Sequence, residues 1–125
     1  MKRFRMLPSA SILIFFVLAM STGAVSADQQ RQGDLRTVEV VAKEFAFEPS
    51  KIEVAPGSQV KIKLVNKGNL SHNLHTKGKG GKTETLQTGN SDTIIVTAPE
   101  SGELEFFCNV TGHKQAGMKG ALVAK

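Results

Sequence analysis

From residue 37 onward, apolar side chains fall on alternate positions rather than at helical spacing. Val38 and Val40 alternate with polar neighbours. The phase then slips at Val41 before Phe45 and Phe47, which predicts a bulge or bend. Pro49 breaks that run. Ile52 and Val54 form a short strand that stops at the turn dipeptide Pro56-Gly57. Val60, Ile62 and Leu64 against Gln59, Lys61 and Lys63 make the clearest half-buried strand, and residues 66–69 carry turn chemistry. Ile94 and Val96 mark another strand, ended by Pro99. Leu104, Phe106 and Cys108 share one face, with Glu103 and Glu105 on the other, and residues 121–124 form a last strand. No stretch has a helical period of useful length. Seven to eight short strands split by glycine and proline predict a single all-β sandwich. Phe45, Phe47, Phe106 and Phe107 read as core, and residues 77–82, lysine alternating with glycine, as a solvated loop.

The N-terminus follows a different pattern. Lys2, Arg3 and Arg5 precede an apolar run over residues 11–20 that is too short to span a bilayer, and Val25 and Ala27 sit at −3 and −1 of a small-residue cleavage site. Residues 1–27 are therefore expected to be a secretory signal peptide, residues 28–36 a disordered polar lead-in and residues 37–125 the folded domain. This partition changes the meaning of the charge. Removing the leader's three basic residues from the 16 leaves 13 against 11 acidic ones, so the net charge falls from +5 to +2. The basic pI of 9.6 is partly the leader's, and nucleic acid is not an expected partner. No stable membrane insertion is expected after cleavage.

Export also changes the meaning of the one cysteine. It has no internal disulfide partner, and a free thiol in an oxidising compartment is a liability unless it is held. Strand parity places Cys108 at the inner end of its strand, just where a loop begins. That loop carries His113 and Met118 in the spacing Cys108-x4-His113-x4-Met118, with Gly112 and Gly117 to let it fold back, and His72 lies upstream in Ser71-His72-Asn73. Thiolate and thioether are soft donors and imidazole is borderline. Two imidazoles, one thiolate and a weak axial thioether form the set that holds copper in both oxidation states. His75 competes with His72, but has the opposite strand parity and lacks the flanking asparagine. Each candidate also has a plain reading: Cys108 as a buried thiol, Met118 as core filling.

The chain resembles the cupredoxin family, which includes plastocyanins, azurins, rusticyanin and auracyanins. The residues that carry the likeness are 47–54, Pro56-Gly57, Ser71-His72-Asn73, residues 105–108, Gly112-His113 and residues 117–120. The four-residue gaps on both sides of His113 are most similar to rusticyanin and auracyanins. The resemblance implies a Greek-key β-sandwich holding one copper ion. It makes His72 and His113 equatorial ligands, Cys108 the thiolate and Met118 the axial ligand. Asn73 then ties the upstream segment to the backbone near Asn109, and the ring edge of His113 lies at the surface as the electron's exit. The function expected on that basis is single-electron transport between redox proteins, such as a cytochrome or oxidase, by a monomeric periplasmic or otherwise exported protein.

Two other classes compete. A copper chaperone or buffer would have an open site rich in methionine or histidine, which the mature chain lacks. An enzyme such as a nitrite reductase or multicopper oxidase needs further copper sites, and three histidines cannot build them. No enzymatic activity is expected. A binuclear centre would need a second cysteine, and a methionine fourth ligand argues against zinc.

Overall fold

The computed structural model describes residues 35–78 and 80–125. The leader and most of the lead-in lie outside the described residues. Eight strands follow in order: β1 (Thr37–Lys43), β2 (Ala46–Glu48), β3 (Lys51–Val54), β4 (Gln59–Asn66), β5 (His75–Thr76), β6 (Ser91–Thr97), β7 (Glu103–Phe107) and β8 (Lys119–Ala124). They form two four-stranded sheets, β2-β1-β4-β6 and β3-β8-β7-β5. This is the all-β sandwich that the alternating pattern predicts. β1 pairs in parallel with β4, and β3 in parallel with β8, so both sheets are mixed.

The period-two pattern builds the core directly. Val60, Ile62 and Leu64 on β4, Val40 and Ala42 on β1, and Val96 on β6 bury one face of the first sheet. Phe106 on β7 and Leu122 on β8 meet them from the second. Phe106 is fully buried and stands edge-on to Phe47, with ring centroids 5.4 Å apart. Gly120, opposite Phe106 on β8, leaves the space for that ring, because a Cβ there would strike both the ring and the Ser50 carbonyl. Truncating such a side chain to alanine costs about 3–5 kcal/mol.

Two expectations need correction. β1 runs unbroken through Val41, with Val38, Val40 and Ala42 facing inward and Val41 outward, so no bulge lies there. The phase changes instead at a tight turn, Glu44-Phe45, before β2. There Phe45 adopts φ +60, a left-handed conformation that costs a bulky side chain on the order of 1–3 kcal/mol. Phe45 is also not core, keeping 44% of its surface exposed, and neither is Phe107, which is half-buried on the outward face of β7 with the Lys114 ammonium over its ring.

Candidate metal centre

Both segments that carry candidate ligands sit at one end of the sandwich. β7 delivers Cys108, fully buried, at the point where pairing with β8 ends. The loop that follows turns back on itself through its own backbone. The His113 N–H donates to Val110 O (3.0 Å), the Met118 N–H to His113 O (3.1 Å) and the Cys108 N–H to Met118 O (3.1 Å). Gly112 and Gly117 adopt φ +83 and +103, the conformations for which the sequence reserves glycine. The loop thus brings Cys108, His113 and Met118 together at its base, and all three are buried.

The upstream segment is held differently. Asn66 ends β4 at an inward-facing position and is fully buried. Its Nδ2 donates to Leu70 O and Leu86 O, both at 2.8 Å, and its Oδ1 accepts the Gly68 N–H at 2.9 Å. His72 then exchanges backbone hydrogen bonds with Leu86, donating at 3.1 Å and accepting at 2.7 Å. Asn73 Oδ1 accepts the Asn109 N–H at 2.7 Å, the tie expected between the two segments, and its Nδ2 donates to Thr85 Oγ1 at 2.9 Å.

The result is a convergent donor set. Cys108 Sγ lies 3.5 Å from His113 Nδ1 and 4.0 Å from His72 Nδ1, and the three donor atoms all fall within 4.8 Å of one another. First-row ions bind nitrogen at about 2.0 Å and thiolate sulfur at about 2.3 Å, which sets nitrogen and sulfur about 3.5–3.8 Å apart around one tetrahedral or trigonal ion. The side chains fit a single ion of that class. The other ring nitrogen of fully buried His72, Nε2, faces away from the cluster and has no hydrogen-bond partner within ordinary distance among the described residues. His75, the competing histidine, lies on β5 beside Phe107, ring centroids 6.0 Å apart, and is not in the cluster.

Electrostatics favour a neutral, ligating His72. Burial lowers its pKa, and the nearby His113 lowers it further, against a smaller opposing pull from the Glu44 carboxylate. Glu44 is itself held below the usual carboxylate range, first by the Leu70 N–H and then by the Asn69 N–H. Its Oε1 accepts both, the Leu70 bond measuring 3.0 Å, and stands 3.6 Å from His72 Nε2.

The surface around His113 departs from expectation. Only 7% of the residue remains exposed, and the ring of Phe45 stands perpendicular to it with centroids 5.3 Å apart. Sequence reading assigned no role to Glu44 and placed Phe45 in the core. The change of phase before Phe47 was the one available signal that the turn between them is unusual.

Comparison with known proteins agrees with this fold. A family model described as a cupredoxin-like domain matches residues 10–124. The copper-resistant cuproprotein CopI of Pseudomonas aeruginosa is 26% identical over 97% of each chain. Cytochrome c oxidase subunit 2 of Thermus thermophilus is 31% identical over 71% of this chain and 65% of its own. Among solved structures, auracyanin A of Chloroflexus aurantiacus, a blue copper protein, superposes with a TM-score of 0.65 at 21% identity, covering 74% of this chain and all of its own.

Proposed function

Because the chain belongs to the cupredoxin-like family, we propose that it is an exported type 1 copper protein that carries single electrons between redox partners. The observation that carries this reading is the convergence of His72 Nδ1, Cys108 Sγ and His113 Nδ1 on one buried point. A copper ion bound there would supply one-electron chemistry by cycling between Cu(I) and Cu(II). His72, His113 and Cys108 would hold it, with Met118 as a weak fourth donor.

What the protein contributes is restraint. The two imidazoles are fixed by backbone pairing and packing, and the cysteine by the junction of β7 and β8. A donor set that cannot relax toward the preference of either oxidation state changes little between them, which suits rapid electron exchange. With all four side chains buried and all four serving as donors, a bound ion would offer a substrate no open position, so the protein is read as a carrier and not an enzyme. Its partners would be redox proteins such as a cytochrome or oxidase, met in the periplasm by a monomer whose leader, residues 1–27, has been removed.

A second reading, a copper-binding resistance or buffering protein, is favoured by the full-length likeness to CopI. The copper-loaded protein separates the two. An intense thiolate-to-copper absorption band, a narrow copper hyperfine splitting in electron paramagnetic resonance and reversible reduction are expected of a carrier. A colourless protein that only exchanges Cu(I) with a chelator would overturn that reading in favour of the second.

A further inference from the structure

The turn between β1 and β2 carries no candidate ligand, yet its two residues touch both candidate histidines. Glu44 Oε1 lies 3.6 Å from His72 Nε2, the ring nitrogen opposite the one that faces Cys108. The ring of Phe45 stands edge-on to His113 at 5.3 Å. We infer that this turn is a third positioning element of the metal centre, in which Glu44 orients His72 and Phe45 braces His113. The inference rests on the metal-binding reading above.

Three observations support it. His72 Nε2 is the buried polar side-chain atom left without a hydrogen-bond partner among the described residues, and Glu44 is the carboxylate beside it. With Nδ1 on a metal, the imidazole must carry its proton on Nε2, aimed at Glu44. Closing the 3.6 Å gap to an ordinary charge-assisted bond takes a shift of about 0.7–0.9 Å. Gly68 keeps that line open: a Cβ there would lie 2.5 Å from Glu44 Oε1 and 2.9 Å from His72 Nε2. Phe45, finally, holds a left-handed backbone (φ +60) while 44% of its surface remains exposed. A strained phenylalanine that lies outside the core is better explained by the imidazole it packs against.

Two substitutions separate positioning from mere structural support. Glu44→Gln keeps an acceptor oxygen for the Asn69 and Leu70 N–H groups but removes the charge. Because a nearby carboxylate stabilises the more positive metal state, this variant should shift the oxidised-to-reduced ratio toward the reduced form, about tenfold at fixed ambient potential. In the Cu(I) protein, the Nε2 proton resonance of His72 should move upfield. Phe45→Asn removes the ring while tolerating positive φ, so the copper-free protein should melt no lower than the unsubstituted one. Its copper should nonetheless pass to a chelator about tenfold faster or more, with an altered resonance spectrum. A normal charge-transfer band in the unsubstituted protein, with potential unchanged in Glu44→Gln and copper release unchanged in Phe45→Asn, overturns the inference alone. Absence of that band from the unsubstituted protein overturns the copper reading itself.

Discussion

The two segments that supply the candidate ligands solve one problem by opposite means. Residues 108–118 form a self-contained loop, closed by hydrogen bonds among its own backbone groups and by two glycines at positive φ. The segment around His72 has almost no internal bonding. It is fixed from outside, by Asn66 beneath it, by Leu86 and Thr83 alongside and by Glu44 above. A local loop can be specified by a short motif, whereas a segment held by distant residues cannot. The ligand loop should therefore fail through its donors, and the upstream segment through its supports.

The sharpest way to break the first half of that comparison is Cys108→Ser. The fold should survive, since hydroxyl and thiol are close in size, but the thiolate-to-copper band should vanish completely. Absorbance of the copper-loaded variant checks this, and retained colour would remove Cys108 from the ligand set. The corresponding blow to the upstream segment falls on no ligand at all. Asn66→Ala removes three hydrogen bonds, to the Leu70 and Leu86 carbonyls and from the buried Gly68 N–H, and should cost about 3 kcal/mol in denaturant unfolding of the copper-free protein. A loss below about 1 kcal/mol would mean that the segment is held by its own turn after all.

Met118→Leu sharpens the comparison from the other side. The side chain is fully buried, and this exchange conserves volume, so stability should change by less than about 1.5 kcal/mol. The reduction potential should rise, because a weak donor that favours Cu(II) is lost. Voltammetry of the two forms checks it. A potential that stays level or falls would leave Met118 as core filling.

The same division explains what could be read from the sequence. The sandwich was legible because β4, β6 and β7 alternate cleanly, and the ligand loop because its three donors and two glycines are contiguous. His72 was legible through the adjacent Asn73, whose bond to Asn109 joins the two segments. Asn66 read only as turn chemistry, since nothing local marks an asparagine as buried at the end of a strand. Glu44 and Phe45 were missed for a related reason. Their partners lie 28 and 68 positions away in the chain, and a phase change at residues 44 and 45 looks the same in sequence as a bulge at Val41.

The smallest expected effect is the dependence of the copper-free protein on pH, and it too sorts by segment. His72 and His75 both have pKa values lowered from the ordinary 6.5, chiefly by burial. The unfolded chain then binds protons more readily than the fold does. Stability is full above pH 6.5 and is lost as pH falls toward the folded-state values. Glu44 adds a second decline below its ordinary value of 4.5, because the Leu70 and Asn69 N–H groups favour the carboxylate that acid removes. Melting temperatures of copper-free protein between pH 7.5 and 5.5 should therefore fall. His75→Asn should retain the part that belongs to His72. The copper-loaded protein should be flatter over the same window, because a proton must displace the metal before it can reach the imidazole. Equal slopes with and without copper would mean that the metal does not protect His72, and that the externally supported segment is not a ligand arm.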